Sequence, residues 1–395
     1  MRLLVVPTFV LLLSTSVAAA APPAGKPSDA PQGPVDERYP FRTDEANAHL
    51  PWYELKAGEF PPAGSAHYIG GELIQVDHVN RTAVLRPDRT NDQSRAFVDR
   101  PLPFKLLPYG SVYYLGAPAT LKDVPLGTHL HGDFYWDEQR NKDPALVTAV
   151  TDRRIATFYA FDRCSRLEDD FSRSVRTGVF WRLEQVRLDS GKLAAIRIDR
   201  AGNPADDKPT EFDVQAITRV WKGRGFGTLD DLAVGQVVAL NLTECTLKGP
   251  GRVNDVWLDE ESRRTAVERQ AERHRFETRR RGLPGLITAV DDEQRRVTVT
   301  LFDGFDPELR RALLIPYVTV AVADDRLRTY DQVNIVKSGP IIELKHEKPR
   351  PGSSGLVITF APNDMLEGFR VGRHLRVFPS TWPINDLPRE EELVR

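Results

Sequence analysis

The stretch His129-Leu130-His131-Gly132-Asp133 sets two imidazoles and a carboxylate at alternate positions. On a β-strand alternate side chains share a face, so His129, His131 and Asp133 would project together, a donor set that a zinc or copper ion could use. Asp133 continues that face, but the third protein ligand that a catalytic zinc site needs is not identifiable in the sequence. The competing expectation is a solvated pair. In two related stretches of the chain the aligned positions are Val237 and Ala239, and His374 and Arg376, whereas Leu130 falls in line with apolar residues. That alignment turns both histidines away from a core and favours the solvated pair.

The aromatic run Phe134-Tyr135-Trp136, with Trp181 and Trp221, could form a stacking platform for an oligosaccharide or a single strand. Packing is the competing reading, since large aromatics usually serve burial. Gly223-Arg-Gly-Phe-Gly227 matches neither a dinucleotide fingerprint nor a phosphate loop and reads as a connecting turn. Arginines between Arg263 and Arg281 could meet a polyanion, but Glu268, Glu272 and Glu277 interleave them, as on a solvated, ion-paired helix. No nucleophile motif occurs. Carboxylate pairs such as Asp169-Asp170 and Asp230-Asp231 read as caps and turns. Cys164 and Cys245 are the two cysteines, a possible disulfide or two buried thiols.

The elements that must hold these residues come from repetition. One thirteen-residue phrase recurs at Thr120–Gly132, Thr228–Leu240 and Met365–Val377, the mark of a reused supersecondary unit. Phe104–Gly132 overlies Phe212–Leu240 at a constant offset of 108 without a gap. Each phrase opens on a cap-type residue (Thr120, Thr228, the Asn363-Asp364 pair), makes one helical turn, and reaches Gly127, Gly235 or Gly372. That glycine can take positive φ and launch a strand whose Leu130, Val238 or Leu375 faces the core. Alternating runs upstream, such as Gly71–Asp77 and Gly285–Asp291, read as further strands. Short strands with one helical turn per unit fit small closed or partly closed barrels, which solve the exposed-edge problem of short strands. Two helices separate the units. Cys164, Leu167, Phe171 and Val175 recur at helical spacing up to Gly178, and Asp259–Gly282 carries acids at its start and arginines at its end.

Ala216-Ile-Thr-Arg-Val-Trp-Lys-Gly followed by Leu229-Asp-Asp-Leu-Ala-Val-Gly-Gln-Val-Val resembles the uncharacterised OB-like β-barrel repeats of bacterial secreted and periplasmic proteins. The third copy departs from the pattern, with Gly368 in place of Asp123 and Asp231 and an extra stretch from about Asp324 to Gly355. The resemblance implies a barrel and an exported location, and it carries no catalytic residue.

Met1-Arg2, the apolar run Leu3–Val17 and the alanines before Pro22 read as a secretory signal peptide, with an uncleaved anchor as the alternative. The near-balance of 54 basic and 56 acidic residues provides no global field for nucleic acid or an acidic membrane. The expected fold is therefore mainly β, with three tandem small OB-like β-barrel modules and two intervening α-helices. The expected organisation is a signal peptide (1–20), a Pro-rich segment (21–64), module 1 (65–161), a helix (162–178), module 2 (179–258), a charged helix (259–282), module 3 (283–380) and a tail (381–395). The expected function is that of a non-enzymatic exported binding or scaffold component of the cell envelope, with no cofactor. The alternatives are an OB-type module for polysaccharide or another polyanion, and a metal-dependent enzyme centred on His129 and His131. An envelope protein or a polysaccharide is the expected partner class.

Overall fold

The computed structural model describes residues 53–88, 101–137, 160–243, 251–322 and 336–383. The signal-peptide stretch, most of 21–64, Cys245 and most of the tail lie outside the described residues.

Barrel 1 comprises β1 (His67–Asp77), β2 (Thr82–Pro87), β3 (Leu102–Tyr114), β4 (Ala117–Ala119), β5 (His129–Tyr135) and β6 (Arg163–Asp169). The strand order is β2-β1-β5-β6-β3-β4, and β2 closes the barrel by pairing with β3. Barrel 2 comprises β7 (Phe180–Arg187), β8 (Lys192–Ile198), β9 (Thr210–Asp213), β10 (Arg219–Lys222), β11 (Gly225–Phe226), β12 (Val237–Thr243) and β13 (Arg252–Trp257). Its order is β11-β10-β13-β12-β7-β8-β9, closed between β13 and β9. With β9 and β10 taken as halves of one broken strand, the two barrels share a topology: five strands in the spatial order one-two-three-five-four, the third and fifth parallel. This is the Greek-key closure of an OB-like barrel.

Barrel 3 differs. Its strands β14 (Leu283–Asp291), β15 (Arg296–Phe302), β16 (Tyr317–Val322), β17 (Val336–His346), β18 (Ser353–Phe360) and β19 (His374–Pro379) close in the order β14-β15-β18-β17-β16-β19. Every pairing is antiparallel. The stretch inserted before the third phrase supplies β17, so this copy closes with six strands.

One device recurs in all three barrels. The first strand carries a bulge, between Leu73 and Gln75, Leu183 and Gln185, and Ile287 and Ala289. The phrase glycine docks there: the N–H groups of Gly127, Gly235 and Gly372 donate to the carbonyls of Leu73, Leu183 and Ile287 at 2.8, 2.7 and 2.9 Å. These glycines have φ of 87°, 84° and 84°, as the third position of a type II turn requires. Leu130, Val238 and Leu375 then enter the barrels fully buried. In the first two copies a helical turn precedes the glycine, and the Asp123 and Asp231 carboxylates accept from the Thr120 and Thr228 N–H groups, each at 2.8 Å. The third copy has no such turn between Asn363 and Phe369, contrary to expectation, because Gly368 offers no carboxylate to close it.

The first intervening helix is shorter than its spacing suggested. Residues 163–169 form β6, and only Asp170–Thr177 is helical, here α1. β6 lies between β3 and β5, and a bulge opposite Asp133 and Phe134 spaces its inward Cys164 and Leu167 three residues apart, so it lacks the strict alternation of a regular strand. Asp169 caps α1 by accepting from Ser172 N–H at 2.9 Å, and Gly178 ends it at φ 71°. The second helix, α2 (Glu260–Arg281), is capped by Asp259. It contacts β4 of barrel 1, β10 and β13 of barrel 2, and β19 of barrel 3. Its buried positions are mainly polar, among them Gln270, His274, Thr278 and Arg281. Gln270 donates to the Pro118 carbonyl, and Arg273 and Arg275 reach Asp123 and Asp306 on different barrels. This polar face explains why the sequence shows so thin an apolar stripe. Among the described residues no helix is long and apolar enough to cross a membrane.

Candidate functional site

The candidate site lies on the outer face of barrel 1. Leu130, Phe134 and Leu167 fill the barrel, so the alternate residues of β1, β5 and β6 face outward. The registers set His131 opposite Gly70 and Glu168, Asp133 opposite Tyr68 and Arg166, and His129 opposite Glu72. This face is not solvated, because α1 and barrel 2 cover one end of it. His129 is 4% exposed, which overturns the expectation of a solvated pair.

The histidines meet at Asp170, the first residue of α1. His129 Nδ1 lies 2.8 Å and His131 Nε2 2.9 Å from Asp170 Oδ1. The far nitrogens are also engaged: His129 Nε2 is 2.9 Å from Asp88 Oδ2, and His131 Nδ1 is 2.6 Å from Tyr68 Oη. The other Asp170 oxygen accepts the Leu242 N–H of barrel 2 at 2.9 Å. Two carboxylates thus flank His129, one at each ring nitrogen. Burial alone would raise the Asp170 carboxyl, but the His129 charge and the hydrogen bonds from both histidines hold it far below the carboxylate range. Its neighbour Asp169 behaves oppositely. Burial pushes it to about 6 despite hydrogen bonds from Ser172 and Asn241.

Gly70 makes room for this convergence. A Cβ there would come within 2.6 Å of Asp88 Oδ2 and 2.9 Å of Tyr68 Oη, so a side chain would expel both groups from the histidines. Beside the cluster a cleft of about 400 Å³ opens between barrels 1 and 3, lined by Tyr68, His131, Asp133, the arginines of β6 and α1, and Asp303 and Gly352 of barrel 3. Glu168 accepts from Arg166 at 3.2 Å and from Arg176 Nε at 2.8 Å. Arg173 instead lies over the Tyr68 ring, 5.3 Å from its centroid, and makes no ion pair with a described carboxylate. Tyr113 Oη donates to Asp303 Oδ2 at 3.2 Å and ties the two walls together.

No family model, curated protein or solved structure matches the chain. The reading of the site therefore rests on its geometry.

Of the expected metal ligands, His129 and His131 come together, whereas Asp133 stays two positions along the strand. Asp170 takes its place at the cluster. Burial raises the Asp133 carboxyl, with Arg166 the main opposing influence. The expected aromatic platform does not form. Phe134, Tyr135 and Trp136 are 0, 2 and 4% exposed: Phe134 packs edge-on to Phe104, Tyr135 to Tyr53 and Trp136 to Phe161. Trp181 packs edge-on to Phe212. Trp221 stacks with Trp257 while its indole N–H donates to Asp255 at 2.9 Å. Cys164 is a buried thiol raised well above its usual range by desolvation, and its candidate partner Cys245 lies outside the described residues. Sequence reasoning missed Tyr68, Asp88, Asp170 and Arg173. Asp170 left a trace, since of two adjacent acids at a helix start only Asp169 can be the cap.

Proposed function

We propose that this is an exported binding protein of three barrels that takes a small ligand bearing an acidic group in the cleft between barrels 1 and 3. The carrying observation is Arg173, a cation on the cleft wall that is stacked on Tyr68 and has no carboxylate partner among the described residues, next to Arg166 and Arg176, which Glu168 already engages. A guanidinium braced on an aromatic face keeps its donor edge for a carboxylate or phosphate. Convergence of charged groups from two barrels on one concave site favours a ligand over a pure scaffold. The export part of the reading rests on the N-terminal sequence and on the likeness to secreted OB-like repeats.

Calorimetric titration with dicarboxylates, sugar acids and sugar phosphates, beside a heparin-type oligosaccharide, tests the proposal. Saturable binding of a small acid is expected, weakened about tenfold or more by Arg173→Gln, as for loss of one charge-assisted hydrogen-bonding partner. Binding that is indifferent to Arg173, or confined to the oligosaccharide, would overturn it, and no binding at all would return the protein to a scaffold.

A further inference from the structure

We infer that His129, His131 and Asp170 bind a divalent first-row transition-metal ion, through His129 Nδ1, His131 Nε2 and the Asp170 carboxylate. Donor geometry is the first support. The three ligand atoms lie within 4.8 Å of one another, and two of the separations are 2.8 and 2.9 Å. An ion about 2.1 Å from each donor holds tetrahedral ligands about 3.4 Å apart, so displacements of about an ångström or less admit it.

The surroundings are the second and independent support. A metal-bound imidazole normally donates its remote N–H to an acceptor that fixes the ring and its tautomer. Both histidines have one: Asp88 behind Nε2 of His129, and Tyr68 behind Nδ1 of His131. The third ligand is oriented in the same way, by the Leu242 N–H on its second oxygen. Gly70 keeps open the space that Asp88 and Tyr68 occupy.

Donor chemistry narrows the ion. Two imidazoles and one carboxylate suit zinc and its first-row neighbours, whereas calcium and magnesium favour all-oxygen sets. Two ligands sit on a paired barrel strand and the third at a capped helix start, so the set is held by rigid elements. Three protein donors leave a coordination position for water or an exogenous ligand. His131 and Tyr68 belong both to this cluster and to the cleft wall.

The test is titration of chelator-stripped full-length protein with Zn²⁺, and with Co²⁺ as a spectroscopic probe. One equivalent of zinc should bind, Co²⁺ should give the intense visible bands of a low-coordinate site, and both should vanish in His129→Ala and His131→Ala. Mg²⁺ and Ca²⁺ at the same concentrations should not bind. Because truncating His129 could loosen the barrel seam, Tyr68→Phe provides a milder variant. It keeps all three ligands and should weaken zinc about 10–100-fold without changing stoichiometry. Absence of stoichiometric zinc, zinc retained after loss of both histidines, or unchanged affinity in Tyr68→Phe would overturn the assignment. The titration contains no acidic ligand, so its failure leaves the cleft reading standing.

Discussion

His274 provides a direct test of how α2 is seated. Its ring is buried on the polar face of the helix, with Nε2 3.1 Å from Thr278 Oγ1. Desolvation lowers the imidazole to about 4; Asp306 and Asp123 pull it back up, and Arg281 and Arg275 press it further down. In the unfolded chain it returns to about 6.5, so on acidification the unfolded chain takes up the proton first. The neutral ring's contribution is whole above pH 6.5 and is lost as the pH falls toward 4, by about 2 kcal/mol at pH 5 and about 3 kcal/mol at complete loss. His67, stacked on Phe161 in barrel 1 and also lowered to about 4 by burial, acts with the same sign. Asp169, raised to about 6, acts with the opposite sign and stabilises the fold as the pH falls below that value. A whole-protein pH profile therefore blends opposing contributions, and the informative quantity is a difference. His274→Gln removes only one titration, so the stability gap between wild type and variant should shrink by about 2 kcal/mol between pH 7 and 5. Hydrogen exchange of the α2 amides at the two pH values reads the gap locally, and NMR of the assigned imidazole gives its titration directly. A pH-independent gap, or an imidazole titrating near 6.5, would refute the argument.

Three further outcomes can be checked together. Asp231→Ala deprives the Thr228 N–H of its acceptor and should cost about 1 kcal/mol, read as faster exchange in the turn before Gly235. Asn241→Leu should cost about 2–4 kcal/mol in urea unfolding, because its amide oxygen accepts the Phe171 N–H and its NH₂ donates to Asp169, each at 2.8 Å, and both partners would be left buried without it. Trp136→Ala should lower stability by about 3–5 kcal/mol while ligand affinity per folded molecule is unchanged, since the indole is core rather than platform.

What the sequence revealed and concealed divides along physical lines. Turn chemistry and alternation are local, so the repeated phrase, its glycine and the inward residues Leu130, Val238 and Leu375 were readable, and with them the barrels. β6 was not, because a bulge breaks its two-residue period and the inward Cys164 and Leu167, followed by Phe171, mimic a helix. The OB-like order of barrels 1 and 2 depends on which strands pair at long range, and the six-strand closure of barrel 3 on where β17 inserts. At the site, the two histidines were visible as a pair on one strand face. Their burial was not, since it arises from α1 and barrel 2 packing across that face. Asp88, Tyr68 and Arg173 reach the site or cleft from other elements, and no spacing in the chain announces them.

Asp170 divides its two oxygens between barrels, one receiving both histidines of barrel 1 and the other a backbone N–H of barrel 2. A single rotatable carboxyl is thus common to the chemistry of one module and the docking of the next. Anything that draws it toward the histidines must change how firmly it holds Leu242, and anything that pries the barrels apart must change what the histidines can hold. Linkage makes the two effects equal in free energy. The histidine cluster of barrel 1 and its seam with barrel 2 therefore share one side chain.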